Sequence, residues 1–220
     1  SRIWRCKSER KELLVSIEPA KGIAGLKGAL RYVRAYRDQI FVIKLGGEVL
    51  ERAESLSGVA AQLSLLSSLG VHLVIVHGGG PQASQLTRRL GGEPKMIAGR
   101  RITDDTALSA VVMAVAGQLN VQVLSALRAH HVRAVGLSGV DAELVTAHKR
   151  PPVEVVDDSG QTQKVDFGHV GDIDRVDPRV IETLLASGYV PVISCLAGDN
   201  QGNIYNINAD TLAESLAVAL

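Results

Sequence analysis

At 220 residues the chain is long enough to bury a substantial core, as one large domain or two small ones. Hydrophobic residues make up 46% and charged residues 21%, and a formal charge of +1 gives no footing for nucleic acid or an anionic membrane surface as partner. Aromatic residues, at 3%, are too few for base-stacking platforms, so the core must be built from Val, Leu, Ile and Ala.

The first residues (Arg2, Arg5, Lys7, Arg10, Lys11) are basic with no apolar segment behind them. Residues 1–20 therefore read as a flexible N-terminal segment and not as a secretory signal. From Gly25 to Tyr36, apolar Leu26, Leu30 and Val33 recur at helical spacing, which predicts an amphipathic helix ahead of the first strand, either a lid or an oligomer contact. Ile40-Phe41-Val42-Ile43-Lys44 is a β-rich run ending in Gly46-Gly47, followed by a helix over roughly 53–69 with Val59, Leu63, Leu66 and Leu69 on one side. A second strand, Leu73–Val76, ends in His77-Gly78-Gly79-Gly80, and helices are expected at about 81–90 and 104–130. Strands then follow at Arg133–Leu137 and Tyr189–Ser194, the latter preceded by a helix at 177–187. Continuously apolar strands separated by helices imply parallel strands covered on both faces. Between them, residues 141–176 carry three short β runs broken by Asp-Asp-Ser-Gly and similar turn chemistry, read as an antiparallel hairpin insertion. The expected fold is an α/β, three-layer αβα sandwich with a mainly parallel open sheet and a β-hairpin insertion.

No run reaches eighteen apolar residues, so no membrane span is expected. Cys6 and Cys195 are far apart and lack metal-ligand spacing, which favours a reduced, cytoplasmic setting.

In an open parallel sheet, ligands collect beyond the carboxyl ends of the strands. Three strands end there in unusual residues: Lys44-Leu45-Gly46-Gly47, His77-Gly78-Gly79-Gly80 and Leu137-Ser138-Gly139. Glycines at such ends let backbone N–H groups approach an anion, aided by the positive end of the next helix. A single Gly-Gly is more often just a tight turn, but two such loops on one edge suggest a shared phosphate-bearing site. Neither matches the dinucleotide or P-loop fingerprint. Lys44 closes an apolar strand, either as a cation for a transferred phosphoryl group or as a lysine reaching past the sheet edge. Arg101, just before Thr103 as an expected helix cap, suits a carboxylate clamp, although a lone arginine is commonly a solvated one. His77 reads as a hydrogen-bonded structural group and Glu48 as a first-turn carboxylate. In Asn203–Glu214, either Asn208 or Asp210 caps the final helix, which leaves Asn206 and the other one for a site.

Taken together, Lys44–Gly47, Val76–Gly80, Gly99–Thr103, Ala134–Gly139, Gly168–Gly171 and Asn206–Asp210, in that order and spacing over residues 21–220, resemble the amino-acid kinase family, and within it the members that phosphorylate N-acetyl-L-glutamate. The resemblance implies that Lys44 stabilises the transferring phosphoryl group, that Gly46 and Gly47 surround it, and that Gly79 and Gly80 contact the acetylated substrate. It further implies that Arg101 and Asn206 hold the carboxylate and amide groups of that substrate, and that Asp210 organises catalytic lysines. Implied with these are ATP with Mg²⁺, no direct metal ligand, and transfer to the side-chain carboxylate as a step of arginine biosynthesis, without a covalent enzyme intermediate. The helix ahead of Ile40 is similar to that of ring-forming, arginine-inhibited members, which implies a homo-oligomer and arginine as inhibitor. Family members continue into a nucleotide-binding half with a further lysine, which on this reading is absent or incomplete here. The alternative is a non-catalytic, arginine-sensing domain of an N-acetylglutamate synthase, a group that Val42–Glu48 and Leu65–Gly70 also resemble.

Overall fold

The β-branched run IFVIKL forms strand β2 (Ile40–Leu45), and HLVIVH forms β3 (His72–His77), paired with it in parallel from Ile40↔His72 to Leu45↔His77. The computed structural model describes residues 2–5, 30–31, 33–97, 99–156 and 162–220. Strand β11 (Val190–Ser194) lies beside β3, and β6 (Ala134–Ser138) beside β11, both parallel. A strand not expected from the sequence, β1 (Arg2–Arg5), adds an antiparallel edge against β2, so residues 2–5 extend the sheet. The order is β1-β2-β3-β11-β6.

Alternation along the strands divides the core between the two sheet faces. Ile43, Leu45, Leu73, Ile75 and Val192 pack with Leu56, Ala60 and Leu63 of helix α2 (Ala53–Ser68). On that same side lie Leu119, Val123 and Leu127 of helix α4 (Asp105–Ala129). Val42, Val74, Val76 and Ile193 pack instead with Ile181 and Leu185 of α5 (Arg179–Ala186) and Leu212, Ala213 and Leu216 of α6 (Ala209–Ala219). Burying each such Leu or Ile side chain contributes about 1.5–3 kcal/mol. The three-layer α/β sandwich is thus built by the strand runs and by the one-sided helices, as expected.

Helix α4 is 25 residues long and contains an 18-residue stretch of mean hydropathy 1.7, enough by length and composition alone to cross a membrane. Its apolarity has a local cause: Ala107, Ala110, Val111, Ala114, Val115, Leu119, Val123 and Leu127 are all buried, serving both core clusters. Its middle, Val112–Leu119, is wound as a π-helix. The cap at its start is Asp104, whose Oδ1 accepts from Ala107 N at 2.9 Å. Thr103 is not the cap, contrary to the sequence expectation; it is fully buried in extended chain.

The insertion is more elaborate than a single hairpin. Strand β7 (Val145–Lys149) pairs antiparallel with β10 (Gly171–Val176), and β8 (Val153–Val156) with β9 (Thr162–Val165) is nested between them. Through Thr146↔Gly198, β7 joins β12 (Leu196–Gly198) and its antiparallel partner β13 (Ile204–Asn206), making a second, four-stranded sheet. A further hairpin, β4 (Lys95–Ile97) with β5 (Arg100–Ile102), was also unanticipated. Of the helix expected ahead of Ile40, Leu26 lies outside the described residues; residues 33–36 are helical, and Tyr36 packs edge-on against Phe41 at 5.7 Å.

Candidate active site

Of the strand ends singled out in the sequence, Leu137-Ser138-Gly139 at the end of β6 does not join the others at the cleft, and the rest reach it for local reasons. Strand β2 runs out at Lys44-Leu45, and Gly46 and Gly47 open the short helix α1 (Gly47–Glu51). Strand β3 runs out at His77, and Gly79 is the N-cap of α3 (Gly80–Arg89), with Pro81 in its first turn. Strand β13 ends at Asn206, and Asn208 caps α6, its Oδ1 accepting from the N–H groups of Asp210 at 2.8 Å and Thr211 at 3.1 Å. Since Asn208 does the capping, the Asp210 carboxylate is left free in the first turn, where the helix dipole favours it.

These ends line a cleft of about 660 Å³ that includes Lys44, Gly47, Gly79, Gly80, Arg101, Asn206 and Asp210. Gly46 is not on its wall; it is the N-cap of α1, in extended conformation. Glu48 sits exposed in the first turn of that helix. A broader depression of about 890 Å³ lies elsewhere, lined by residues such as Val121, Arg128 and Tyr189, and holds none of the candidate residues. In it, the Arg133 guanidinium stacks 4.6 Å from the Tyr189 ring centre. Convergence of the chemistry, not size, selects the smaller cleft.

The Lys44 ammonium donates to Asp210 Oδ2 at 3.1 Å, across 166 residues of sequence, with side-chain exposures of 21% and 45%. Asp210 is the one carboxylate among the described residues lining the cleft, against four cations: Lys44, Arg100, Arg101 and Arg150. Arg150 is gripped by Asp172 through three donor contacts of 2.6–3.2 Å, and that guanidinium holds the Asp172 carboxyl below its ordinary range. Such an excess of fixed positive charge suits an anionic ligand.

Arg101 carries the most pointed feature. Its Nη2 donates to Gly80 O at 2.7 Å and to Ser84 Oγ, tying the guanidinium to the first turn of α3. Its Nη1 is buried with no partner. Burial lowers the pKa of this group, and the nearby Arg88 adds to that. An unpaired buried donor costs free energy that a carboxylate arriving in the cleft would recover.

Asn206 is set by a strap formed by residues 166–170. Its backbone N–H donates to His169 O at 2.8 Å, and its Nδ2 donates to Thr103 Oγ1 at 3.3 Å. The strap in turn pairs with Thr103, through Thr103 N to Phe167 O at 2.9 Å and His169 N to Thr103 O at 2.7 Å. At its turn, Gly168 has φ +70°, and a Cβ there would run into the Thr103 carbonyl, whose carbon lies 2.9 Å away. Backbone cannot yield as a flexible side chain would. Gly168→Ala is therefore expected to lower stability by about 1–3 kcal/mol, read by urea denaturation; an unchanged midpoint would refute the strap as a fixed element.

Cys195 also lines the cleft, fully buried, and burial pushes its thiol up to about 11. It stays protonated and is no nucleophile. Ser84, Arg100 and Arg150 were not singled out in the sequence: Ser84 is one polar residue of α3, Arg100 lies in a three-residue strand and Arg150 in a loop, with no pattern to mark them.

The family model for the amino acid kinase family matches residues 39–220. The chain belongs to the amino acid kinase family. Among curated relatives, the acetylglutamate kinase of Myxococcus xanthus is 46% identical over 90% of this chain, and that of Methanothrix thermoacetophila 40% identical over 87%. The chain spans 64% and 65% of the length of those two relatives. Among solved structures, the smu.665 protein of Streptococcus mutans superposes with a TM-score of 0.67 at 30% identity, over 81% of this chain and 66% of that one. N-acetylglutamate synthase from Neisseria gonorrhoeae, complexed with coenzyme A and L-arginine, gives a TM-score of 0.69 at 25% identity, over 90% of this chain and 45% of that one. In this member of the amino acid kinase family, all the cleft residues named above lie within the matched span.

Proposed function

We propose that this chain is the acyl-substrate part of a kinase that transfers a phosphoryl group from ATP to the side-chain carboxylate of N-acetyl-L-glutamate, a step of arginine biosynthesis. The observation that carries the reading is the cleft in which a Lys44–Asp210 pair and an Arg101 with an unpartnered Nη1 lie at the mouth of the Gly78–Gly80 loop. The 38–46% identity to relatives described as acetylglutamate kinases supports the choice of substrate.

The site fits a bound phosphate better than a bound metal. Asp210 is engaged by Lys44, and no group of three His, Cys, Asp or Glu suited to a metal occurs among the described residues. A divalent ion would accordingly be carried by the phosphates, with Lys44 and the N–H groups at Gly47 and at the start of α3 as the chain's contribution. ATP, as its magnesium complex, supplies the phosphoryl group when bound. An acceptor carboxylate is already ionised near neutral pH, so the chain needs no general base. Its work is positioning and charge neutralisation. Arg101 binds the substrate's other carboxylate, Asn206 faces its amide, and Lys44, held by Asp210, offsets negative charge as it builds during transfer.

The test is acyl phosphate trapped as hydroxamate, made by the full-length natural protein with Mg-ATP and N-acetyl-L-glutamate. A signal that requires both substrates is the expected result. A folded protein that yields none, yet binds L-arginine, would replace this reading with the arginine-sensing one. The likeness to a synthase complexed with L-arginine is what makes that ligand the one to try.

A further inference from the structure

A polar cluster in the middle of the sheet has no part in the roles assigned above. His77 is fully buried at the end of β3, its Nδ1 3.0 Å from Gly78 O and its Nε2 3.2 Å from Asn120 Nδ2. Asn120, 4% exposed, follows the π-helical stretch of α4, and its Nδ2 also lies 3.1 Å from Val192 O and 3.4 Å from Leu137 O. Gly136 leaves the room: a Cβ there would strike Asn120 Oδ1 and come within 2.9 Å of Leu124 Cδ1.

The proton positions follow from the acceptors. Val192 O and Leu137 O can only accept, so the amide must turn its NH₂ toward them, and the same NH₂ then faces His77. His77 Nε2 is therefore the acceptor and the ring proton sits on Nδ1, which donates to Gly78 O. Burial lowers the pKa of this imidazole, which keeps it neutral and the tautomer single. In a trans peptide the C=O and the following N–H point in opposite directions. With the Gly78 carbonyl drawn inward to a buried ring, the N–H of Gly79 turns outward, on the side where Gly79 lines the cleft.

We propose that Asn120 and His77 are positioning residues, a relay that runs from the carbonyls of β6 and β11 to the Gly78–Gly79 peptide and aims the Gly79 N–H at the transferred group. The inference rests on the kinase reading for its catalytic consequence but not for its geometry. It also gives the π-helix a purpose: a π turn shifts register within α4, and here it brings the residue that follows it, Asn120, to the ring.

Two histidine substitutions separate the relay from mere packing. Asparagine places an amide nitrogen where Nδ1 was and can still donate to Gly78 O; glutamine reproduces the Nε2 position and cannot. His77→Asn is expected to keep kcat within about 3-fold of the parent, while His77→Gln loses about 10-fold or more at an unchanged KM for N-acetyl-L-glutamate. In the unmodified protein, ¹⁵N–¹H correlation of the ring should report the neutral Nδ1–H form. The Gly79 amide resonance should shift in His77→Gln and stay near its place in His77→Asn. An Nε2–H ring, or equal effects of the two substitutions on kcat and on the Gly79 amide, would overturn the proposal. If the parent makes no acyl phosphate, the kinase reading falls. The ring tautomer and the Gly79 shift still decide the relay, and the tautomer does so even if neither variant folds.

Discussion

Replacing Lys44 with alanine is expected to reduce turnover by about 10²–10³-fold while changing the KM for N-acetyl-L-glutamate little. The expectation comes from where the ammonium sits. It lies near the end of β2 on the cleft wall, 3.1 Å from Asp210, whereas Arg101 and Asn206, the groups assigned to substrate binding, are held by other partners. A cation so placed interacts with charge that grows during phosphoryl transfer, and an interaction made mainly in the transition state appears in kcat. Asp210→Asn tests the other half of the pair: it should lower kcat in the parent but add little once Lys44 is gone, because its effect is exerted through Lys44. Steady-state kinetics of the two single variants and the double variant measure this. A rise in KM for N-acetyl-L-glutamate with kcat intact in Lys44→Ala would remove Lys44 from the transfer step.

Replacing Arg101 with alanine is expected to act the other way, raising that KM by about 10–100-fold with a smaller change in kcat. The guanidinium is held by Gly80 O and Ser84 Oγ through Nη2, which leaves the buried Nη1 as the donor a carboxylate would meet. Its orientation is set before substrate arrives, so the charge-assisted bond costs little ordering entropy. Lysine should not rescue the variant, since its donors all diverge from one nitrogen, whereas the guanidinium holds the first turn of α3 with Nη2 and keeps a second, separate nitrogen for the ligand. Isothermal titration with N-acetyl-L-glutamate, alongside kinetics, separates affinity from rate. Equal losses in kcat and KM for both Lys44→Ala and Arg101→Ala would defeat the division of labour between them.

Much of this could be read from the sequence because it is written in short range. The runs IFVI (40–43), LVIV (73–76) and VPVI (190–193) are continuously apolar, and buried parallel strands leave that mark because both faces are covered. Their ends carry Lys44 and the glycines of 78–80, so the edge of the sheet that bears the site was legible too. Helix α2 showed its one-sidedness at a spacing of three to four residues in Val59, Leu63 and Leu66, which pack on the core, but Leu69, read with them, is exposed beyond the helix end, and Leu56 and Ala60 of the buried face were not picked out. What the sequence by itself determined was therefore the layer architecture and the identity of most residues on the cleft.

Only the tertiary structure decided how those residues act on one another. Lys44 and Asp210 are 166 positions apart, and no periodicity relates a strand end to a helix start at that distance. Whether Asn208 or Asp210 caps α6 was undecidable locally because both side chains can cap; Lys44 claims one and the backbone the other. The second sheet depends on LAG and IYN, strands of three residues, too short to show a period of two. The strap from Asp166 to Val170 and the buried Asn120–His77 contact likewise arise from backbone groups meeting across the fold. Periodicity in a sequence reports how much of each element is buried, whereas the partner of a polar group is fixed by whichever donor or acceptor the packed core brings within 3 Å or so.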